Sequence, residues 1–448
     1  MFTNTTIFTK EKLLNILILL VPLSLLFGNP MVNLNVVLIC LIGFLIYGFS
    51  IFKIKGDIVA CLLCAFFLYL IFITLVTNIP NYPVIITPTG NLNNSIYYKE
   101  HIIKSFSFLR FLIFFLVINK FATNKEFNFK FFFILIGGLS FLVAIDVYLI
   151  FFLDKEFIDQ SLIAYFTGFF SDEKIAGGYL QKFSLFFIFS LVLFLPIARN
   201  IKLILISLFF LFFFYSIILT YNRMPMLIYL SSFLLFASIE KKLRKYLILI
   251  LFISSISLFY FSNLAIKGVG AKKIDSFIGA TIRIVTMAPK LFYHGKLNIV
   301  GQVNTQGLDF GSGHLVTFNS GVQLWKQNKI FGGGLKSFRL NCIQDHKFQV
   351  CTSHPHNYLI EILVDVGLVG FVLIYFAFTI VVIRFLKRYL KDFNLYSRNL
   401  VIPFFLIFFF EIFPFRSTGS FFTTSNAVVI FLVIAIINNY YKNNNFIK

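Results

Sequence analysis

The stretch Leu203-Ile-Leu-Ile-Ser-Leu-Phe-Phe-Leu-Phe-Phe-Phe-Tyr-Ser-Ile-Ile-Leu219 decides the fold class. It contains no charged residue and no alternation of polar and apolar positions. A strand of a transmembrane barrel alternates in polarity over roughly 10 residues, whereas a helix that crosses a bilayer needs about 20 predominantly apolar residues. The stretch therefore predicts a membrane-spanning helix.

Blocks of the same kind recur along the whole chain. Of its 448 residues, 59% are hydrophobic, 65 are phenylalanine and 13% are charged, a balance that no soluble domain of this size needs for its core. The sequence predicts an all-α integral membrane protein with about twelve transmembrane helices. The expected spans are 13–28, 31–52, 57–79, 102–119, 129–153, 177–197, 201–220, 223–238, 246–263, 357–385, 398–415 and 420–440.

The formal net charge of +21 raises the question of a nucleic-acid partner. The cations form short clusters between apolar blocks, however, and the positive-inside rule explains such clusters as an orientation signal. We therefore expect no nucleic acid, and we place the amino terminus in the cytoplasm. The clusters that this puts inside are Lys53 and Lys55, Lys120 and Lys125, Arg199 and Lys202, Lys241 to Lys245, and Arg384 with Lys387, Arg388 and Lys391.

The connection between the ninth and tenth predicted helices, residues 264–356, is far longer than an ordinary loop. It divides the chain into helices 1–9 (residues 1–263), an outward-facing cap (264–356), and helices 10–12 with a cytoplasmic tail (357–448). Basic residues outnumber acidic ones in the cap, which also holds the single tryptophan. We expect the cap to attract an anionic substrate and to contribute the chemistry.

Two arginines at the predicted outer boundary are not explained by the orientation rule. Arg223, in Thr220-Tyr-Asn-Arg-Met-Pro225, separates two apolar helices, and Arg416, in Phe413-Pro-Phe-Arg-Ser-Thr-Gly-Ser420, lies between the last two. Each either anchors a helix end by snorkelling or binds an anion, because a guanidinium fits two phosphate oxygens at once. The Ser, Thr and Gly after Arg416 would add donors to the same anion.

The segment Ser353-His-Pro-His-Asn-Tyr-Leu-Ile-Glu361 lies where the cap returns to the membrane. Its proline suits the first turn of the next helix, which would put His356 at a helix amino terminus. A neutral imidazole there suits a general base for a sugar hydroxyl, and a helix cap without a catalytic role is the alternative. No carboxylate or cysteine cluster accompanies the two histidines in fixed spacing, so we expect no metal.

Two further features belong to the cap. The glycines of Phe331-Gly-Gly-Gly-Leu-Lys336 form either a nest of amide donors for phosphate or a turn, and they lack the ending of a nucleotide-binding P-loop. Cys342 and Cys351 are candidates for a disulfide that closes a short loop, because an outward-facing loop in a bacterium meets an oxidising compartment.

Two runs in this region resemble the signature of the O-antigen ligase and polymerase superfamily. They are Asn328-Lys-Ile-Phe-Gly-Gly-Gly-Leu-Lys-Ser-Phe-Arg-Leu-Asn-Cys342 and Cys351-Thr-Ser-His-Pro-His-Asn-Tyr-Leu-Ile-Glu-Ile-Leu-Val-Asp-Val-Gly-Leu-Val-Gly370. The shared form is a glycine-rich turn, a His-Asn pair, and an acidic residue before Gly-Leu-hydrophobic-Gly. The resemblance implies about twelve helices, a large periplasmic loop and metal-independent transfer of a glycan from a lipid pyrophosphate, without a cofactor.

By position, the resemblance implies that His356 is the base or the residue that orients the acceptor, and that Arg223 contacts the pyrophosphate. Asn222 stands where the family has a serine before this arginine. Either Arg283 or Arg339 is implied as a second arginine of the cap. The His-Pro-His-Asn segment adds His354 and Asn357 as candidate substrate-binding residues. The predicted outer boundary adds Arg416.

The expected activity is transfer of a glycan from polyprenyl pyrophosphate to an acceptor hydroxyl, with inversion, at the periplasmic face of a bacterial inner membrane. The first expectation is an O-antigen ligase that acts on lipid A core. Membrane lipid is a further expected partner. A repeat-unit polymerase and a protein O-oligosaccharyltransferase remain open. A transporter or flippase is the rival from another class, and it would favour ionisable residues within helices, such as Asp146 and Glu411.

Overall fold

A computed structural model provides the structure of the chain. It describes residues 9–78, 94–123, 127–153, 170, 175–220, 222–239, 313–344, 352–414 and 416–442, together with isolated positions between 244 and 256. Every regular element in these ranges is helical, and they contain no strand. The predicted all-α class is therefore confirmed.

The helices of the described ranges are numbered here in chain order. They are α1 Lys10–Leu19, α2 Val21–Leu26, α3 Asn29–Tyr47, α4 Ile58–Asn78, α5 Asn94–Phe108, α6 Arg110–Thr123, α7 Phe129–Leu153, α8 Ala176–Phe194, α9 Arg199–Leu219, α10 Arg223–Ile239, α11 Gly313–Gln327, α12 Ser337–Gln344, α13 Tyr358–Lys391, α14 Leu395–Glu411 and α15 Thr424–Lys442.

Eight helical segments of the described ranges are long and apolar enough to cross a membrane, so the chain is a multi-pass membrane protein. The predicted number of about twelve is not confirmed. The first predicted span is divided into two short helices, α1 and α2, while α10 is an apolar helix of 17 residues. The predicted span 246–263 and the cap residues 264–312 lie almost entirely outside the described residues. The eight segments are Asn29–Phe52, Ile58–Thr77, Lys99–Ala122, Phe129–Ile150, Ala176–Phe194, Asn200–Leu219, Tyr358–Lys391 and Thr424–Lys442.

The chain divides into two compact units. Unit 1 comprises Met1–Leu135 and His314–Lys448, and unit 2 comprises Ile136–Gly313. The candidate residues Arg339, His354, His356, Asn357 and Arg416 belong to unit 1, and Arg223 belongs to unit 2.

Helix α15 is the centre of unit 1. In its spanning window, 78% of the residues are buried, against 28% in the window that includes α3. The ring of Phe431 on α15 packs against Phe67 of α4 and Phe111 of α6, with centroids 5.5 and 6.3 Å apart. The outer helix α3 instead exposes leucine and phenylalanine side chains, as a surface in contact with lipid requires.

Unit 2 is held together by aromatic packing and close backbone contact. Tyr229 of α10 stacks on Phe210 of α9 with centroids 5.1 Å apart. A Cβ placed on Gly137 of α7 would lie 2.8 Å from the Cα of Phe187 on α8, so only glycine permits this approach. Helix α9 ends at Leu219 and α10 begins at Arg223, which confirms the predicted helix break.

Candidate functional site

The His-Pro-His-Asn segment forms a fixed turn at the start of α13. Asn357 is the N-cap residue, and its side-chain oxygen accepts a hydrogen bond from the Ile360 amide at 3.1 Å, which satisfies one of the open donors of the first helical turn. His356 therefore lies one residue before the cap. Pro355 is not in the first turn of the helix, as the sequence had suggested, but precedes the cap by two residues.

The segment between α14 and α15 holds this turn from the other side. The Asn357 side-chain amide donates to the carbonyls of Pro414 and Arg416 at 2.6 and 3.1 Å. The Thr418 amide donates to the His356 carbonyl at 2.9 Å. These bonds are made by the Asn357 side chain and the His356 carbonyl, so they hold the turn without using the imidazole.

The two imidazoles of the turn lie side by side and half-exposed. The ring centroids of His354 and His356 are 4.3 Å apart, and Ser353 Oγ lies 2.9 Å from His354 Nδ1. His356 has φ +54°, in the left-handed region that non-glycine residues seldom occupy, although histidine is among the more tolerant. The backbone conformation is thus imposed by the hydrogen bonds around it.

Lys336 shares this unusual backbone geometry. With φ +65°, it is the other non-glycine residue of positive φ in the described part of the chain. Its ammonium donates to Ser420 Oγ at 2.9 Å and lies 3.8 Å from Glu361 Oε1. Strained backbone of this kind concentrates at functional sites because only a supporting structure maintains it. Residues 418–420 bond to both strained residues, through the His356 carbonyl and the Lys336 ammonium.

Glu361 is the buried carboxylate that organises this region, and the sequence reading gave it no role. It is 1% exposed. Its two oxygens accept hydrogen bonds from Ser420 Oγ at 2.5 Å and from the Phe421 amide at 2.6 Å. The signal in the sequence was a carboxylate one helical turn inside an apolar helix, but its partners are about 60 residues away in the chain.

Asp365 lies one turn further along α13 and fixes the glycine-rich turn. Its carboxylate accepts hydrogen bonds from the Lys336 amide at 2.8 Å and from Ser337 Oγ at 2.9 Å. It thereby caps the amino terminus of α12 in the manner of a capping carboxylate.

The glycine-rich turn is a packing element and not a phosphate nest. The Gly333 and Gly334 amides donate to the carbonyls of Val364 and Asp365 at 2.9 and 2.8 Å, so these donors are already used. Gly332 packs against Gly367, where α13 has a non-helical residue with φ +61°. A Cβ on Gly367 would lie 2.5 Å from the Gly332 amide nitrogen, which explains why both residues are glycine.

Arg416 lies beside the turn, and its charge has a partner. Its guanidinium makes an ion pair with Glu411 at 2.6 Å and donates to the Phe410 carbonyl at 3.2 Å. The Tyr358 hydroxyl also donates to Glu411, at 3.3 Å. The donors after Arg416 that the sequence offered to an anion bind protein instead, since the Thr418 amide bonds to His356 and the Ser420 hydroxyl to Glu361.

The remaining predicted residues lie on other elements or outside the described residues. Arg339 is exposed on α12 and Arg223 is half-exposed at the start of α10, while Arg283 lies outside the described residues. Cys342 is buried and disulfide-bonded, whereas Cys351 also lies outside the described residues. Within the part of the chain that the structure describes, no three or more His, Cys, Asp or Glu side chains form a group that could hold a metal ion.

A basic group accompanies the turn. Lys104 on α5 interacts electrostatically with both Lys336 and Arg339, so three cations from different elements lie near one another. Like charges in proximity repel, and Glu361 offsets part of this repulsion through Lys336. The arrangement as a whole can attract an anion while presenting two imidazoles for proton transfer.

Much of this site lies within a stretch that is similar to a known family. Residues 207–375 match the family model described as O-antigen ligase. The matched range includes Arg223, Lys336, His356, Glu361 and Asp365. No curated protein matches the chain. Residues 207–375 are thus similar to the O-antigen ligase domain, and this similarity supports glycosyl transfer of the ligase or polymerase type.

Proposed function

We propose that the chain transfers a glycan from polyprenyl pyrophosphate to an acceptor hydroxyl at the periplasmic face of a bacterial inner membrane. The transfer inverts the anomeric carbon and uses no metal ion. Attachment of O-antigen to lipid A core is the first form of the proposal. The family domain supports glycosyl transfer in general, and the residues of the turn supply the more specific chemistry.

The single observation that carries the proposal is the strained backbone at His356 and Lys336. Both residues bond to the short segment 418–420. This segment therefore fixes the Lys336 ammonium and the backbone that carries the half-exposed imidazole of His356. Such a pair suits a reaction in which a hydroxyl loses a proton while an anionic group departs.

His356 is the proposed general base. The acceptor oxygen forms a bond to the anomeric carbon as the bond from that carbon to the pyrophosphate oxygen breaks. The bonding electrons leave with the polyprenyl pyrophosphate, and the acceptor proton moves to the imidazole. The ordinary pKa of histidine, near neutrality, suits this transfer. His354 and Asn357 position the turn, and His354 also lies beside the reacting imidazole.

The cations are the proposed contacts of the anionic donor. Lys104, Lys336 and Arg339 form the basic group near the turn, and Arg339 is exposed enough to meet a ligand. Arg223 is proposed separately as a pyrophosphate contact, on the basis of the family resemblance and its position at a helix break. Arg283 shares that expectation. Arg416 supports the turn more directly than the donor, since Glu411 already neutralises its charge.

The test is reconstitution of the purified chain with a lipid-pyrophosphate glycan and, separately, lipid A core, a second repeat unit or an acceptor protein. Product with lipid A core supports the ligase. Product only with a repeat unit or a protein assigns the polymerase or the oligosaccharyltransferase. His356→Asn and Arg223→Ala are assayed beside Lys387→Gln, an exposed residue at the far end of α13. Full activity of both site variants would contradict the proposal.

A further inference from the structure

A second polar region lies at the opposite end of unit 1 from the His356 turn. Arg384, whose guanidinium lies 3.8 Å from the Asp57 carboxylate, follows the non-helical Gly367 of α13 by 17 residues. At 1.5 Å per residue this is about 25 Å along the helix from the glycine-rich turn, against which Gly367 packs. The region around Asp57 is therefore remote from the proposed transfer site.

A cavity of about 390 Å³ opens at this end, within the range of roughly 300–1,000 Å³ that is typical of ligand pockets. It lies among the connection from α3 to α4, the end of α6 and the last residue of α15. Four lysines and a single aspartate line it. They are Lys53, Lys55, Lys120, Lys442 and Asp57.

The aspartate balances at most one of these four charges, because its own single charge is shared between one lining lysine and an arginine outside the lining. Asp57 makes an ion pair with Lys442 and a second one with Arg384. It also accepts hydrogen bonds from the side-chain amides of Asn119 and Asn438 at 3.1 and 3.0 Å. The lining of the cavity thus remains strongly positive.

The orientation rule accounts for lysines anywhere in these connections, but not for their convergence on one cavity. The rest of the lining is instructive as well. Ile51, Ile54 and Leu116 give the cavity an apolar wall beside the lysines. A free phosphate ion needs no such wall, whereas a phospholipid presents a phosphate next to glycerol and acyl chains. Basic pockets among membrane helices bind acidic lipid headgroups in this manner.

We propose that this cavity binds the phosphodiester headgroup of an anionic phospholipid from the surrounding membrane. Lys53 and Lys55 contact the phosphate, while Ile51, Ile54 and Leu116 contact the glycerol and the first carbons of the acyl chains. The proposal is independent of the proposed transfer reaction.

The experiment measures lipid retention by native mass spectrometry of the full chain, released from detergent with phosphatidylglycerol or phosphatidylcholine. We expect selective retention of phosphatidylglycerol. The Lys53→Gln/Lys55→Gln variant should weaken this retention about 25-fold, since each lysine near a membrane phosphate contributes about fivefold. Lys120→Gln should weaken it about fivefold. The matched control Lys387→Gln/Lys391→Gln removes two exposed lysines of α13 that do not line the cavity, and it should retain the lipid as the wild type does.

Three results would overturn the proposal. The first is equal retention of the two lipids by the wild type. The second is unchanged retention by both cavity variants, and the third is the same loss in the Lys387→Gln/Lys391→Gln control. A separate measurement adds excess inorganic phosphate to the protein with bound phosphatidylglycerol. Displacement of phosphatidylglycerol by phosphate would assign the cavity to a free anion and reject the lipid, whereas retention would support it.

Discussion

A buried carboxylate joins distant segments at each end of unit 1, but the two carboxylates have different surroundings. At one end Glu361 accepts hydrogen bonds from Ser420 and Phe421, and at the other Asp57 joins the end of α15 to the connection between α3 and α4. Each is a buried carboxylate that ties distant segments together. They differ in what surrounds them, because Glu361 supports half-exposed imidazoles on a strained turn, whereas Asp57 lies within a rim of lysines.

A buried carboxylate in this protein therefore does not by itself mark the end at which proton transfer is proposed. Residues in strained backbone conformations do distinguish the ends, since Lys336 and His356 both lie near Glu361. Strain of this kind persists only where the surrounding structure enforces it. The comparison therefore supports the proposals of proton transfer at the Glu361 end and of anion binding without chemistry at the Asp57 end.

The largest expected effect comes from His356→Asn. Asparagine tolerates the left-handed backbone conformation, so the turn should keep its shape while the imidazole is lost. We expect the rate of glycan transfer to fall about 10²- to 10⁴-fold, the usual contribution of a general base. Thermal stability in detergent should change by less than about 1 kcal/mol. Steady-state transfer with the reconstituted donor measures the first quantity, and a melting curve the second.

His356→Gly provides the control for backbone strain. Glycine adopts a positive φ without strain, so this variant should be at least as stable as the wild type. Its transfer rate should be as low as that of His356→Asn. If either variant transferred glycan at the wild-type rate, the reacting group would have to be sought elsewhere.

Glu361→Gln should have the next largest effect, and this effect falls on stability. The amide cannot accept from both Ser420 and Phe421 without placing an NH₂ group against a donor, and Lys336 loses its counterion. Breaking a buried pair from one side costs about 3–5 kcal/mol, and we expect a value near the lower limit, about 3 kcal/mol. The loss of monodisperse protein with increasing denaturant, recorded for wild type and variant, measures this difference in stability. Lys336→Gln should cost less, because the Lys336 side chain is 13% exposed against 2% for Glu361, and the reverse order would show that the ammonium and not the carboxylate organises this end.

The sequence predicted part of this arrangement and not the rest, for identifiable reasons. Local signals were sufficient for the helix break before Arg223 and for the start of α13 near Asn357, because apolar blocks and capping residues act over a few positions. The prediction of a nest at Gly332 to Gly334 failed because the Gly333 and Gly334 amides donate to carbonyls on α13, about 30 residues further along the chain.

The partners of the two buried carboxylates were equally out of reach. Asp57 and Asn438 are separated by 381 residues, and a single sequence contains no signal for such a pairing. Charge in an apolar segment shows that a partner must exist. Which residue supplies it depends on how the helices pack around α15.

A smaller effect is expected for Asp57→Asn. The pH dependence of this effect reports the protonation of the Asp57 carboxyl in the folded protein. Burial raises the pKa of the Asp57 carboxyl, but the hydrogen bond and charge of Lys442, with the amides of Ala60 and Asn438, outweigh this effect. The pKa therefore lies below its ordinary value of 3.8. A carboxyl with a lowered pKa stabilises the fold fully above its unfolded pKa and loses that contribution as the pH falls through its folded pKa.

We expect Asp57→Asn to cost about 1–2 kcal/mol at neutral pH, because charged hydrogen bonds contribute about 1.5–3 kcal/mol and Lys442 is partly exposed. Melting temperatures of wild type and variant should differ by a constant amount from pH 7 to about pH 5 and converge below about pH 4. A difference that grew with acidity would mean that the carboxyl is protonated in the folded protein.

The smallest effect is expected for Arg384→Gln at the same end. Arg384 lies 3.8 Å from Asp57, donates to Asn438 Oδ1 at 3.2 Å and stacks over the Tyr441 ring at 5.1 Å. Because Lys442 donates directly to the same carboxylate, the more distant guanidinium should contribute less than about 1 kcal/mol. Melting curves of Arg384→Gln and Lys442→Gln, recorded at low and at high salt, compare the two partners. A larger loss in Arg384→Gln would make the guanidinium the principal partner of Asp57, and Lys442 would then belong to the lysine rim of the cavity rather than to the link that closes this end of unit 1.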